Sequence, residues 1–403
     1  MQKRIVEVNL GNFGSTGGIM KNIARTAEAR GDKVIQIYPD SPSCKINDGD
    51  YIITSYFWQR VYQKLAFRFG FSGRFAYFET KRCLKFIKSL KPDIIHFHNL
   101  HNEYINLPLV FRYIKKHNVK VVWTLHDCWA FTGHCPYFTM NKCDKWKIGC
   151  YKCDRYREYP ASLFDNSKKM YKLKKKWFTG VKDLTIVTPS EWLSNLVKQS
   201  FLGGYDVRVI NNGIDLAVFK PTASDFRKKH GISEDKFVLL GVAFDWGKRK
   251  GLDVFTGLSK RLDEKKYQIV LVGTNEEIDR GLPSNIVSIH RTQNQTELAE
   301  IYTAVDLFVN PTREEVLGMV NIEANACGTP VLTFKTGGSP ECIDEKSGSV
   351  VECDDIDSME SEIIRICETA PFSKENCIGQ SRKFDMNDCF KKYIDLYHEI
   401  DGE

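Results

Sequence analysis

The sequence lacks any apolar stretch near the roughly 18 uninterrupted residues of a membrane-spanning helix, which excludes a helical integral membrane protein. It also lacks internal repeats, heptads and low-complexity tracts, which sets aside solenoids, coiled coils and disordered linkers. The amino-terminal run MQKRIVEVNLGNFGSTGG reads as a first strand entering glycines, so no signal peptide is expected. Thirteen cysteines form an odd and mostly scattered set, expected to be reduced in a cytoplasmic protein. A dinucleotide fingerprint is missing too. The turn from Asn9 to Gly18 does not fit G-x-G-x-x-G, and no acidic residue closes the second strand candidate. What remains is a chain of 403 residues, 42% hydrophobic and 27% charged, which is ordinary globular material for two or three domains.

The net charge of +7 hides a division. Residues 1–200 carry 34 Lys and Arg against 16 Asp and Glu, a net +18, while residues 201–403 carry 24 against 35, a net −11. A basic half beside an acidic half implies two domains facing different partners, the basic one suited to nucleic acid, an anionic membrane or phosphorylated substrates.

Short β-branched runs alternate with helical patterns almost throughout. Strand candidates in the first half are Ile5–Leu10, Lys33–Tyr38, Asp93–His98, Val119–His126, Leu184–Pro189 and Val207–Ile210. In the second half they are Phe237–Ala243, Gln268–Gly273, Ile286–His290, Leu307–Asn310, Val331–Phe334 and Ser349–Glu352. Helices are expected at Gly18–Arg30 and over the long stretch from Phe57 to Leu90. Two such series predict an α/β chain of two doubly wound parallel domains. Their expected limits are 1–203 and 204–378, divided at the Gly203-Gly204 pair, with a terminal segment 379–403. Only the segment from Asp127 to about Ser162 breaks the rhythm, and a loop of that length is usually functional.

Several places carry chemistry. At Gly17 and Gly18 a glycine turn lets backbone approach a ligand at a helix start, although a plain strand-to-helix turn has the same appearance. In Thr312–Pro330, the loop acid Glu315 and the helix acid Glu323 flank the N–H groups of Gly318, Met319 and Val320, which would meet an anion. Solvated helix-start acids are the plainer alternative. Cys135, Cys143, Cys150 and Cys153 have partial zinc-ligand spacing but no second C-x-x-C, so structural zinc and packed free thiols both stand. Two basic–aromatic stretches, Tyr56–Lys88 and Lys168–Phe178, would seat in an anionic leaflet or form solvated helix faces. Asp355-x-Asp357 reads as surface and N-cap charge.

Taken together, Thr312–Pro330, the Gly17-Gly18 turn, His126-Asp127, Thr188-Pro-Ser190-Glu-Trp, Val209–Pro221, Lys250-Gly251 and Thr336–Glu341 resemble retaining glycosyltransferase family 4, in its order and over residues 5 to 355. The run from His126 to Cys135 is similar to the colanic-acid and capsule branch. That resemblance implies a GT-B fold, two Rossmann-like domains facing a cleft, with the last helix, about Asn387–Ile400, crossing back to the first domain. It implies transfer of a sugar from a UDP- or GDP-linked donor to a saccharide or lipid-linked saccharide acceptor, retaining configuration and needing no cofactor for catalysis. Glu315 would hold donor hydroxyls, Glu323 the ribose, and Gly318 and Met319 the sugar or diphosphate. Lys250 would neutralise the leaving diphosphate, and His126 would sit beside the sugar. The arginine usual before this lysine is replaced by Ala243-Phe244, which leaves Arg249 or Lys248 to supply a second charge. The acceptor half is expected at the cytoplasmic face of the membrane, held by Lys168–Lys176 with Trp177 and Phe178 as shallow anchors. Two rival classes share single features. One is a nucleotide-sugar epimerase of the same architecture, which would need no acceptor. The other is a nucleic-acid-binding protein, for which no recognised motif is present.

Overall fold

A computed structural model describes residues 2–402. It divides into two compact units, Met1–Asn211 with Asn387–Glu403, and Asn212–Met386. In the first unit the strands are β1 (Arg4–Val8), β2 (Lys33–Tyr38), β3 (Tyr51–Ile52), β4 (Ile94–Phe97), β5 (Lys120–Thr124), β6 (Leu184–Thr188) and β7 (Asp206–Val209). They form one sheet in the order β3-β2-β1-β4-β5-β6-β7, every neighbouring pair parallel. Its helices are α1 (Gly14–Glu28), α2 (Tyr56–Phe69), α3 (Tyr77–Leu90), α4 (Leu107–His117), α5 (Ser167–Phe178) and α6 (Glu191–Gln199). Every residue of β4 and β6 is buried, as expected of strands covered on both faces.

The second unit repeats the plan. β8 (Phe237–Val242), β9 (Tyr267–Val272), β10 (Ile286–Ile289), β11 (Leu307–Asn310), β12 (Val331–Phe334) and β13 (Gly348–Val351) run in the order β10-β9-β8-β11-β12-β13, again all parallel. Between them lie α7 (Phe226–Lys229), α8 (Leu252–Arg261), α9 (Glu276–Asp279), α10 (Gln295–Ala304), α11 (Met319–Ala326), α12 (Ile356–Thr369) and α13 (Lys374–Ser381). Alternate strand residues feed two cores. Leu240, Val270 and Phe308 pack on one face, and Leu239, Ile269 and Leu271 on the other. In both sheets the order reverses beside the first strand of the series, at β1/β4 and at β8/β11. Doubly wound sheets bind ligands beyond the strand ends at this crossover.

Two boundaries differ from the sequence expectation. The seam falls after Asn211 instead of at Gly203-Gly204, because Asp206–Val209 is an edge strand paired in register with β6, Thr185 against Asp206. The return to the first unit begins at Asn387 instead of 379, because α13 still packs on α11. Outgoing and returning chains meet at a bridge from Ile214 to Asp385. There a Cβ on Gly213 would stand 2.3 Å from the Met386 Cα, so only glycine fits. The last helix, α14 (Met386–Asp401), buries Tyr393 and Tyr397 within the first unit, where the Tyr397 hydroxyl lies 2.7 Å from His96 Nδ1. The stretch expected as one helix from Phe57 to Leu90 is two. Gly70, at φ +66°, caps α2 in the left-handed conformation that ends helices.

Candidate active site

At the β8/β11 crossover, the loop after β8 carries Lys250 and the loop after β11 carries Glu315. Lys250 Nζ donates to Glu315 Oε2 at 2.6 Å, both side chains only about a fifth exposed (19% and 22%). A single helical turn, Lys248–Lys250, is the regular structure of the first loop, and Arg313 ties it to the second. Its guanidinium binds Asp253 at the start of α8 through two bonds of 2.7 and 2.8 Å, Asp354 at 2.6 Å, and the carbonyl of Lys248. Its backbone N–H donates to the Arg249 carbonyl at 2.8 Å. A planar fork with five donors ties three segments in a way lysine cannot. From the far side, Gly337 lies so close that a Cβ there would sit 1.6 Å from the Glu315 carbonyl oxygen, at φ +54°. The Gly338 N–H bonds that carbonyl at 3.3 Å, and the Thr336 hydroxyl bonds the Thr312 carbonyl at 2.6 Å.

Gly318 opens α11. No side chain caps this helix and no acid occupies its first turn; the Met319 N–H donates to the Leu317 carbonyl at 2.9 Å, so the open positive end of the helix begins at the Val320 N–H. One turn on, Glu323 is half-buried and accepts from the hydroxyl of Tyr302, on α10, at 3.2 Å. Burial pushes the Glu323 carboxyl up to about 7. The buried Ser339 hydroxyl has no partner and would stand 3.3 Å from a Cβ placed on Gly318. Arg249 leans on the Glu314 carbonyl at 3.4 Å, within the same loop pair. Phe244, in the place of the usual arginine, is 95% exposed.

The first unit contributes a separate set. Gly17 and Gly18 are the fourth and fifth residues of α1, which begins at Gly14, and so do not lie in a turn before it. Gly17 is required by packing, because a Cβ would come within 2.6 Å of the Asn12 backbone; Gly18 faces open space. No side chain caps α1. His126, just past β5, is half-buried, and its Nε2 lies 3.1 Å from His98 Nδ1. Burial pushes the His126 imidazole down to about 4, so it is neutral at physiological pH. Behind it His96 holds the Tyr397 hydroxyl and the Thr124 hydroxyl at 2.7 and 2.8 Å. Glu7 on β1 accepts from Gln36 at 3.0 Å, and burial pushes its carboxyl up to about 8. Among the described residues, Glu7, His96 and His98 form a group whose polar atoms all lie within 4.8 Å of one another. Both His96 nitrogens are already engaged, whereas Glu7 Oε1 and His98 Nε2 are buried without a hydrogen-bond partner.

Residues 19–218 match the family described as Glycosyltransferase Family 4, and residues 223–384 match Glycosyl transferases group 1. The chain belongs to glycosyltransferase family 4. This family 4 chain is similar to a protein named as a colanic acid biosynthesis glycosyl transferase, WcaC, of Escherichia coli K12, with 25% identity over 272 residues, 66% of this chain and 65% of the relative. It thus spans just under two thirds of that relative's length. Among solved structures, the sucrose-phosphate synthase of Thermosynechococcus elongatus has a TM-score of 0.70 at 17% identity, covering 99% of both chains. The Anabaena protein HepE in complex with UDP-glucose gives 0.68 at 14%, covering 99% of this chain and 100% of its own. At these identities the fold is what is shared, and that fold is GT-B.

In this family 4 chain the structure brings Lys250, Arg249, Glu315, Gly318, Met319, Val320 and Glu323 together around one crossover. It holds Gly17, Gly18 and His126 on the other unit. One expectation is overturned. Lys174, Trp177 and Phe178 are core residues of α5: the Lys174 ammonium donates to the Trp129 carbonyl at 2.7 Å, and Phe178 is fully buried. They cannot reach a membrane. The exposed basic face of α5 is Lys168, Lys169, Lys172, Lys175 and Lys176. On α2, by contrast, Gln59 is the one buried residue, and Phe57, Trp58, Phe67 and Phe69 stand exposed among Arg60, Lys64 and Arg68. Asp355 is the N-cap of α12, accepting from the Ser358 N–H at 2.9 Å.

Proposed function

We propose that the chain transfers a sugar from a UDP- or GDP-linked donor to a hydroxyl of a lipid-linked saccharide, with retention of configuration and without a catalytic metal, in surface polysaccharide assembly. The observation that carries this reading is the Lys250–Glu315 pair beside the uncapped start of α11, with Glu323 one turn further on. A donor diphosphate draws Lys250 off Glu315, since a doubly charged phosphate outcompetes one carboxylate for an ammonium. The freed Glu315 then accepts from sugar hydroxyls, while Glu323 binds the ribose and Tyr302 keeps its carboxyl aimed. The bond from the anomeric carbon to the phosphate oxygen breaks as the acceptor oxygen attacks from the same face. The acceptor proton passes to the departing diphosphate, so no protein nucleophile is needed. Lys250, Arg249 and the helix N–H groups stabilise the developing anion without reorganisation. His126, neutral, offers the sugar one ring nitrogen while His98 holds the other. The colanic acid name of the Escherichia coli relative and the UDP-glucose bound by HepE support the substrate class.

Thermal unfolding with UDP, GDP and their sugars tests the donor. One nucleotide series at a hundred times its dissociation constant is expected to stabilise the fold by about 2.7 kcal/mol. No shift with either series would count against the reading.

The acceptor side is proposed to work against an anionic leaflet. Among the described residues no helix is long and apolar enough to cross a membrane, yet α2 exposes aromatics that its own unit does not cover. Each basic side chain near such a surface contributes about 1 kcal/mol, falling off over roughly 8 Å at physiological salt. Sedimentation is expected with anionic but not neutral vesicles, weakened by salt and largely lost in Phe57→Ser with Trp58→Ser. The pair Lys175→Glu and Lys176→Glu is expected to weaken it further. Equal binding to both vesicle types, or to neither, would contradict the proposal.

A further inference from the structure

The segment between β5 and α5 has only two single-turn helices, Trp129–Phe131 and Lys145–Lys147, and no strand. Backbone without ladders needs another tie. Trp146 packs on Phe131 and Phe138, a small aromatic core beneath one side. Beside it Cys135, Cys143, Cys150 and Cys153 line one cavity of about 240 Å³, which Phe138 and Trp146 line too. Four of thirteen cysteines therefore converge from a span of 19 residues, and all are free thiols. The Cys135 thiol donates to the Cys153 sulfur, so these two side chains already meet. The Gly133 N–H donates to Cys150 Sγ at 3.1 Å, and a Cβ on Gly133 would stand 2.6 Å from the Cys150 Cβ, so this approach requires glycine. Backbone N–H donors to sulfur stabilise thiolate, the form a metal binds. Asp165 accepts from the Cys153 N–H at 2.8 Å and from the Ser167 N–H at 2.9 Å, tying the last thiol to the start of α5.

We propose that Cys135, Cys143, Cys150 and Cys153 bind a structural zinc ion that fixes this segment beside His126. Four thiolates and a tetrahedral, redox-inert cation suit each other, and a closed four-sulfur site leaves no position for catalysis. Among the described residues no three of these sulfurs all lie within 4.8 Å of one another, wider than the roughly 3.8 Å edge implied by zinc–sulfur bonds of about 2.3 Å. Binding therefore draws the side chains inward by χ1 rotation into the cavity they line. Thiols bind zinc as thiolates, so zinc enters as protons leave and its hold weakens in acid. The inference does not depend on the proposed reaction.

Elemental analysis of protein made in zinc-supplemented medium and purified without chelator tests it. About one zinc per chain is expected, falling to near zero in Cys143→Ser and in Cys150→Ser with Cys153→Ser. Cys143→His, which keeps a ligand, should retain the metal, as should Cys44→Ser, remote in sequence. The cobalt-substituted protein should show the intense visible bands of tetrahedral thiolate. Four titratable thiols with no metal, or a Cys135–Cys153 disulfide in freshly purified protein, would overturn the proposal.

Discussion

Lys250→Ala is expected to lower kcat/KM about a hundredfold or more, the scale seen when one preorganised stabiliser of transition-state charge is removed. The fold should survive. Lys250 is partly exposed and lies in a loop that Arg313 holds independently, so the lost ion pair is worth about 1 kcal/mol or less. The loss should fall mainly on kcat, because the developing diphosphate charge is larger than that of the bound donor. Glu315→Ala is expected to cost a similar factor for a different reason: the sugar loses its hydroxyl acceptor, and Lys250 is left without a carboxylate to release it. Steady-state kinetics on both variants, with circular dichroism as the fold control, checks this. Near-normal turnover in both would remove Lys250 and Glu315 from the reaction.

Glu7→Gln is expected to stabilise the protein at pH 8 and to leave it nearly unchanged at pH 4.5. Burial raises the Glu7 carboxyl from 4.5 to about 8, so the folded chain holds a proton that the unfolded chain has released. The folded state therefore pays nothing below pH 4.5 and loses about 1.4 kcal/mol per pH unit from there until pH 8. Glutamine keeps the oxygen that accepts from Gln36 and does not titrate. His96 and His98 carry the opposite sign. Burial lowers both, so they withdraw stability as pH falls below 6.5, but they do so equally in wild type and variant. The difference between urea unfolding curves at pH 5 and pH 8 isolates Glu7. Parallel pH dependence in the two proteins would show that Glu7 is not held protonated.

Much of the fold is legible in the sequence because parallel strands buried on both faces leave continuous β-branched runs. Lys33–Tyr38, Leu307–Asn310 and Val331–Phe334 have the observed limits. β3 leaves no such trace, since two half-buried residues make no pattern. The seam is not legible in the chain because a glycine pair marks a turn, while the domain limit depends on which sheet claims Asp206–Val209. The candidate site residues Lys250, Glu315 and Glu323 are visible in the chain only through the motifs that resemble the family. Residues that act by holding others are not visible: Arg313, His98 and Gly337 have meaning only once Asp253, His126 and the Glu315 carbonyl are beside them. The helix α5 misleads for a related reason. Its lysines alternate with its core face, and Lys174 crosses to the inside because the Trp129 carbonyl and ring receive it there.

Proton NMR of one reaction, a nucleotide sugar with a lipid-linked saccharide acceptor, tests the proposed transfer most directly. The phosphate-coupled anomeric signal of the donor should decline only when acceptor is present. A product anomeric signal of the same configuration should replace it, with nucleoside diphosphate released in equal amount. Conversion of the donor to a second sugar nucleotide without acceptor, or a product of inverted configuration, would contradict retaining glycosyl transfer.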